Sequence, residues 1–168
     1  MIKIIQKILV RQKSQNGWPA SSNRNFIGVK NYMVPGTKRY FAVATEAAPL
    51  LIAFAADFHR LVQPIDIGNW DDWGFHFALI PGSKDLSNHC SGTAIDINAT
   101  KHNWGSTGTF SIQQVIIIHS LVNKYGLRWG GDYRFGKKDE MHFEIIVSPI
   151  KAKFLIAKLK LSMPKVYK

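Results

Sequence analysis

One helix is completely delimited by the sequence, and it constrains the fold more than any other feature. Ser111 and Gln114 form a capping-box pattern at its start, and Gly126 supplies the left-handed residue with which helices commonly end. Between these signals lies a continuous apolar run over residues 115–118. A helix of this kind must pack its apolar residues against other elements, so the fold class depends on what surrounds it.

Two further helices are predicted, one before and one after it. Apolar residues recur at helical spacing over residues 46–61, with Thr45 at the N-cap position and Pro49 in the first turn. Ser148 and the proline that follows it open a short basic helix, which we expect to continue to about residue 161. Proline is tolerated in a first turn because the N–H it lacks would have no partner there.

Short strands are predicted between and before the helices. Apolar and β-branched residues bounded by glycine, proline and polar turns place them at residues 40–43, 74–80, 93–98, 127–129 and 141–147. Helices and strands segregate along the chain rather than alternate regularly. We therefore expect an α+β fold in which helices flank a small, mostly antiparallel sheet.

Length, composition and cysteine content bound the architecture. The 168 residues, 46% of them apolar, fit one globular domain spanning residues 1–168, with a basic N-terminal segment at 1–14 and a basic terminal helix or tail at 149–168. We expect a monomer. The single cysteine, Cys90, excludes an internal disulfide and a four-thiolate zinc site. Any metal must therefore be held by histidine and carboxylate.

The positive charge is concentrated at the two ends of the chain. The net charge of +11 divides into +7 over residues 1–60, −2 over 61–148 and +6 over 149–168. This distribution favours docking to a polyanion such as an anionic membrane, lipopolysaccharide or acidic wall polymer, although a purely solubilising role is the alternative. Because no nucleic-acid motif accompanies the charge, no specific nucleic-acid partner is expected.

Two segments carry the residues of a zinc hydrolase. Such enzymes need three protein ligands and an open fourth position, where a water becomes acidic enough to attack at neutral pH. His89 precedes a glycine-containing turn and Asp96 lies on the strand after it, so both can face one ion. His142 offers a third ligand, and Asp139, three residues earlier, a general base. Glu144 faces the same side of its strand as His142 and could accept a hydrogen bond from its imidazole.

These residues resemble the M15 family of zinc D-Ala-D-Ala carboxypeptidases and L-Ala-D-Glu endopeptidases, which includes phage endolysins. The family pattern is Ser-x-His-x-x-Gly-x-Ala-x-Asp followed by acid-x-x-His. Its first element is filled by Ser87, His89, Gly92, Ala94 and Asp96, and its second by Asp139 and His142. The similarity covers roughly residues 15–148, including 16–19, 105–110 and 128–132. It implies the Hedgehog/DD-peptidase fold, zinc at His89, Asp96 and His142, and Asp139 as the catalytic acid/base.

One position departs from the family pattern. Members usually carry an arginine on the strand before the Ser-x-His element to stabilise the oxyanion, and Ala78 stands there in this chain. Oxyanion stabilisation then falls to the zinc, with Lys84, Arg60 or Ser87 as candidate substitutes. Loss of one such donor typically lowers the rate by about 10²–10³.

The remaining polar and aromatic candidates have ordinary structural interpretations beside functional ones. Cys90 adjoins a ligand, but neighbouring extended residues point to opposite sides, which favours a small buried residue. His59 and His119 lie on predicted helices and are expected at the surface or core edge. Cleft-lining and core positions remain open for a larger set: His76, His102, Trp70, Trp73, Trp104 and Trp129.

The function expected from the resemblance is hydrolysis of a stem-peptide bond in bacterial peptidoglycan, with L-alanyl-D-glutamate endopeptidase activity of an endolysin first. The alternatives are a D-alanyl-D-alanine carboxypeptidase or cross-link endopeptidase, and, in another class, an inactive zinc-bearing module that binds cell wall or polyanion. We expect no conventional secretory signal at the N-terminus, since Lys7 and Arg11 interrupt its apolar stretch. We therefore expect synthesis in the bacterial host cytoplasm and access to the wall by cell release or holin-type export.

Overall fold

The computed structural model of the chain describes residues 12–65, 70–134 and 136–167. Most of the basic N-terminal segment predicted at residues 1–14 lies outside this part of the chain. The described residues form three α-helices and two small antiparallel sheets. The expected α+β class, with helices flanking small antiparallel sheets, is confirmed.

The three helices occur where the sequence places them. They are α1 (Ala48–Leu61), α2 (Ile112–Tyr125) and α3 (Pro149–Lys158). Helix α2 has the complete capping box, and Gly126 ends it with φ of 69°. The Ser148 hydroxyl accepts the Lys151 N–H at the start of α3.

The predicted N-cap of α1 is wrong. Ala47 occupies the cap position and makes no side-chain hydrogen bond to the helix. The hydroxyl of Thr45 instead donates to the Gly28 carbonyl at 2.7 Å and lies 3.0 Å from the Tyr32 hydroxyl. These contacts tie Thr45 to the preceding hairpin, and Pro49 alone marks the first turn of α1.

The strands form two separate ladders. In the first, β1 (Val29–Met33) pairs antiparallel with β2 (Tyr40–Ala44). In the second, β5 (His142–Ile145) lies between β3 (Ala94–Asp96) and β4 (Leu127–Trp129), antiparallel to both. The central strand β5 alternates between two environments: Phe143 and Ile145 enter the apolar core, whereas His142 and Glu144 face the opposite side. This alternation places the polar side chains of β5 together.

The strand predicted over residues 74–80 is not formed as a continuous strand. Trp73 exchanges backbone hydrogen bonds with Asp96, but the Phe75 N–H already donates to Ala42 on the other sheet. Leu79 then makes an isolated bridge to Leu86. The segment thus passes from one sheet to the other, so no single partner extends a ladder along it.

Helix α1 supplies most of the core against which β5 is fixed. Phe54 and Phe58 are fully buried, and their rings lie 4.8 Å and 5.5 Å from that of Phe143. Aromatic contacts at these distances add to the free energy of burial. Because Phe143 is held on one face of β5, its neighbours His142 and Glu144 are held on the other.

The residues before the first hairpin bind across the second sheet. The Asn16 side-chain amide donates to the Thr93 hydroxyl and to the Ile145 carbonyl, at 2.8 Å and 2.9 Å. The Trp18 indole N–H donates to the Val147 carbonyl at 2.9 Å. These hydrogen bonds fix the stretch before β1 against the start of β3 and the end of β5, the strands that contain Asp96 and His142.

Helix α3 covers the core with one side only. Ala152 is buried and Leu155 packs partly on the core, whereas Ile150 and Phe154 are 69% and 73% exposed. After the helix the chain returns to β1, where the Tyr167 N–H donates to the Asn31 carbonyl. Within the described residues, every helix is too short or too polar to cross a bilayer.

Candidate metal centre

Three side chains from separate segments converge at one point. His89 Nε2 lies 3.1 Å from His142 Nδ1 and 3.3 Å from Asp96 Oδ1, and the last two atoms lie 2.9 Å apart. All three residues have low exposure, and their nearest donor atoms fall within 4.8 Å of one another. These are the three residues that the sequence predicted to be metal ligands.

Local structure explains how His89 and Asp96 reach the same point. His89 lies in a short 3₁₀ helix (Asn88–Ser91), whose start is capped by the Ser87 hydroxyl. Gly92 ends this helix with φ of 63°, and a side chain there would approach the Ala44 nitrogen to 2.6 Å. Glycine is therefore required at the turn that sends the chain back into β3 and Asp96.

The donor atoms fit a zinc ion. A tetrahedral zinc with nitrogen and oxygen ligands at about 2.0–2.1 Å has ligand-to-ligand edges of about 3.3–3.4 Å. The observed triangle has edges of 2.9, 3.1 and 3.3 Å. Two imidazoles and one carboxylate are a set used by catalytic zinc sites, which keep a fourth position open. His89, Asp96 and His142 are thus the residues that could hold the metal.

Both imidazoles are oriented through their second ring nitrogens. His89 Nδ1 lies 2.6 Å from the Gly74 carbonyl, and His142 Nε2 lies 3.3 Å from Glu144 Oε2. Acceptors in these places keep a proton on the outer nitrogen and leave the inner nitrogen free to bind a metal. The predicted contact between Glu144 and the imidazole of His142 is present in the structure.

Glu144 is itself held by several donors. Asn88 Nδ2 donates to Oε2, while the Tyr133 hydroxyl and Arg128 Nε donate to Oε1 at 2.6 Å and 2.8 Å. Burial alone would raise the pKa of the Glu144 carboxyl, but the hydrogen bond and charge of His142, followed by the hydrogen bonds of Tyr133 and Arg128, lower it. Glu144 therefore stays ionised beside His142.

The electrostatics favour a positive charge at the centre of the group. Burial would lower the pKa of His142, but its hydrogen bonds to Asp96 and Glu144 outweigh burial and raise that pKa to about 10. Burial likewise opposes ionisation of Asp96, yet the charges of the two histidines bring its pKa below the ordinary range. Asp96 contacts both imidazoles and Glu144 contacts that of His142, so a metal ion held by His89, Asp96 and His142 would lie in a negatively charged environment.

Asp139 lies beside the three converging side chains without sharing their contacts. Its Oδ1 is buried and has no hydrogen-bond partner among the described residues. Burial raises the pKa of Asp139 to about 6. Its backbone is fixed by Gly130, where a side chain would approach the Asp139 carbonyl oxygen to 2.2 Å. A carboxyl in this state can exchange a proton near neutral pH.

An open cleft of about 820 Å³ contains the group and its surroundings. Ser87, Ala78 and Trp104 line it together with the three converging residues and Asp139. Trp104 is half exposed, so its ring is accessible to a bound molecule. Because a cleft of this size suits a short peptide, the group is accessible to a substrate.

Two of the suggested substitutes for the missing family arginine lie elsewhere. Lys84 lines a neighbouring depression with Gln12 and Lys13, and Arg60 pairs with Asp57 at 2.8 Å on α1. Ser87 lines the cleft, but its hydroxyl accepts the His89 N–H at 3.3 Å. Ala78 itself binds the Cys90 thiol through its backbone, at 3.0 Å from its carbonyl.

The other candidates occupy structural positions. Cys90 is buried and stands apart from the three converging residues. His102 is buried against Phe110 and lies 2.6 Å from the Thr109 hydroxyl, and burial lowers its pKa to about 4. His119 lies 3.0 Å from Asp132 at the surface. The remaining aromatics divide between the core (Trp129) and exposed positions outside the cleft (Trp70, Trp73).

Sequence reasoning missed three residues around Glu144: Asn88, Arg128 and Tyr133. Asn88 lies inside the recognised motif, and its side chain would have been a candidate had the register of β5 been known. Arg128 pairs directly with Glu144 across β4 and β5. Opposite charges on neighbouring strands are a usable signal only once that pairing is fixed.

The comparisons with known proteins agree with this geometry. The family model described as D-alanyl-D-alanine carboxypeptidase, of the M15 peptidases, matches residues 81–145. No curated protein and no solved structure matches the chain significantly. The matched segment contains all three converging side chains together with Asp139 and Glu144. Residues 81–145 are therefore similar in sequence to the M15 peptidases.

Proposed function

We propose that this protein is a zinc-dependent peptidoglycan peptidase that hydrolyses the bond between L-alanine and D-glutamate in the stem peptide, as an endolysin does. The observation that carries the proposal is the convergence of His89, Asp96 and His142 within 4.8 Å, beside the unpaired carboxylate of Asp139. The match of residues 81–145 to a family of cell-wall peptidases supports the substrate class.

The residues of the centre have separate roles in metal binding and proton transfer. His89, Asp96 and His142 would hold the zinc ion. A zinc ion in such a site polarises the scissile carbonyl and makes water acidic enough to attack it near neutral pH. Asp139 accepts the proton that the attacking water loses, and it delivers a proton to the leaving amine when the C–N bond breaks. The products are a carboxylic acid and a free amine, so atoms and charges balance.

The inactive zinc-bearing module is the weaker alternative. A binding module has no need of a buried, unpaired carboxylate, because leaving such a group without a partner costs folding free energy. Asp139 nevertheless keeps its Oδ1 free beside the metal ligands. An ionisable side chain that is kept in a cleft at the expense of folding free energy is typical of catalytic residues.

A D-alanyl-D-alanine carboxypeptidase is the second candidate, because the matching family model carries that description. The two activities differ in which bond they cut and therefore in the masses of their products. Purified muropeptides digested with the zinc-loaded protein and analysed by mass spectrometry should lose the stem peptide after L-alanine. Release of free D-alanine with the L-alanyl-D-glutamate bond intact would establish the second candidate instead.

The proposed route to the substrate follows from the endolysin assignment. The protein is made in the bacterial cytoplasm and acts on the wall after release or holin-type export. Fractionation of producing cells tests this route: the protein should remain with the cytoplasm until a membrane-permeabilising partner is expressed. Its appearance in the cell envelope without such a partner would contradict the proposed route.

A further inference from the structure

Arg128 places a cation on the wall of the cleft. It lies on β4 directly opposite Glu144, and its side chain is 44% exposed and lines the cleft that contains the metal ligands. Two further cations, Arg134 and Lys137, line the same cleft. The wall near Arg128 is therefore suited to an anionic part of the substrate.

The guanidinium of Arg128 is held in place, but not all of its N–H groups are hydrogen-bonded within the described residues. Its Nε and Nη2 both donate to Glu144 Oε1, and its Cζ lies 4.9 Å from the Tyr133 ring centroid. Its Nη1 has no hydrogen-bond partner among the described residues. An arginine held in this way keeps N–H donors for a carboxylate and loses little side-chain entropy when it binds one.

The strand register offsets this cation from the metal ligands. Arg128 pairs with Glu144, which is two residues along β5 from His142. Arg128 Nε lies 2.8 Å from Oε1 of Glu144, and His142 Nε2 lies 3.3 Å from its other oxygen, Oε2. The Glu144 carboxylate therefore stands between the guanidinium and the imidazole. In this position Arg128 is better placed to bind a group beside the scissile bond than the oxyanion itself.

D-Glutamate in a stem peptide carries such a group. Its linkage to the next residue runs through the γ-carboxyl, so its α-carboxylate is free. The carbon of that carboxylate is three bonds from the scissile carbonyl carbon, a span of at most about 3.8 Å. With a hydrogen bond of about 2.8 Å, this carboxylate can bind a guanidinium that lies beside the metal ligands.

We propose that Arg128 binds the free α-carboxylate of the D-glutamate that follows the scissile bond, and so selects the unamidated stem peptide over its D-isoglutamine form. The inference rests on the proposed function. The competing explanation is that Arg128 acts only as a positioning residue, by holding Glu144 against His142.

Two substrates separate these explanations: a soluble muropeptide with D-glutamate and its counterpart with D-isoglutamine. Wild-type protein should cleave the acid with a kcat/KM about 10- to 100-fold above that of the amide. Arg128→Gln should lose this preference: weaker support of Glu144 lowers activity on both substrates alike, so kcat/KM should fall about 10- to 100-fold more on the acid than on the amide. Arg128→Lys should recover part of it, because it keeps the charge without the planar fork.

Three measurements accompany the kinetics. Arg60→Gln, an arginine outside the cleft, serves as the control and should behave as wild type. Zinc content of each variant shows whether the metal site is intact. Binding of the two peptides to metal-free protein, followed by NMR titration, gives the acid-to-amide preference without any turnover.

The outcomes are distinct. An equal fall on both substrates after Arg128→Gln, or a wild-type protein that does not distinguish acid from amide, would overturn the proposal. Product masses report separately on the proposed function, because they show which bond is cut. If another bond is cut while metal-free protein still prefers the acid through Arg128, the carboxylate site stands and only the bond assignment fails.

Discussion

Asp96 and His142 are directly opposite each other on the antiparallel strands β3 and β5, and Asp96 Oδ1 lies 2.9 Å from His142 Nδ1. The backbone ladder therefore sets the spacing of two of the three donors before any metal binds. Only His89, in the 3₁₀ helix, must be added to complete the group. Preorganisation of this kind reduces the conformational entropy that the ligand side chains lose when a metal binds.

The first prediction concerns metal content. Purified protein should bind about one zinc per chain, lose activity to chelator and regain it with zinc, and its melting temperature should rise with zinc. His89→Ala with His142→Ala should abolish both zinc binding and the rise. His76→Ala, an exposed histidine outside the cleft, is the control. Unchanged zinc in the double variant, measured by elemental analysis, would contradict the ligand assignment.

The second prediction concerns catalysis by Asp139. Asp139→Asn should retain zinc and fold but lose roughly 10² or more in kcat/KM, the scale of general acid–base catalysis. In wild-type protein the pKa of Asp139 is raised by burial to about 6, and a bound cation lowers it. Because the base must be ionised, kcat/KM should fall as pH drops through a limb at or below about 6. Near-normal turnover by the variant would assign the role to another group.

The third prediction uses the same substitution to measure stability. The folded pKa of Asp139, about 6, exceeds the ordinary value of 3.8, so its ionisation destabilises the fold above pH 6 and the penalty disappears below pH 4. In chelator, Asp139→Asn should therefore be more stable than wild type at pH 8, by up to about 3 kcal/mol. Denaturant titrations at pH 8 and pH 4 test this, and a difference that does not shrink at pH 4 would contradict it.

The fourth prediction concerns the support of His142. Glu144→Gln removes the charge that faces His142 Nε2 and breaks the ion pair with Arg128. We expect zinc affinity to fall about 10- to 100-fold, as is typical for loss of such an outer partner. Competition with a chromophoric chelator measures the affinity. The exposed Glu46→Gln serves as a matched control, and equal affinities in the two variants would show that Glu144 does not support the ligand.

Local sequence patterns were sufficient to predict the helices of this chain and to bring part of the polar cluster together. The capping box and Gly126 delimit α2, and the short spacing of His89 and Asp96 brings them together through one glycine turn. Such features depend on residues close in sequence, so a single chain shows them. His142 could be associated with the other two from the sequence through the family pattern.

Features set by long-range pairing could not be predicted in this way. Strand β1 contains Lys30 and Asn31, and it exists because β2 pairs with it over its whole length. The segment at residues 74–80 was apolar enough for a strand, yet its partners change along it. The contact between Arg128 and Glu144 likewise follows from a register that joins residues 16 positions apart.

The last prediction concerns the basic tail. Its described lysines are Lys151, Lys153, Lys158, Lys160 and Lys165, with Lys168 outside the described residues, and no acid accompanies them over residues 149–168. On α3, Ile150 and Phe154 are one turn apart and largely exposed. Lysines beside exposed apolar side chains suit an anionic interface, where each cation near the surface contributes about 1 kcal/mol.

Replacing the six lysines with glutamine should leave hydrolysis of a small soluble muropeptide unchanged, because the tail lies outside the cleft. It should weaken co-sedimentation with anionic vesicles and flatten the salt dependence of that binding. Ile150→Ser with Phe154→Ser should weaken vesicle binding while keeping the salt dependence, since it removes apolar surface and no charge. If the glutamine variant binds vesicles as well as wild type does at low salt, the lysines only solubilise the protein, and the basic sequence at residues 1–14 becomes the next segment to test.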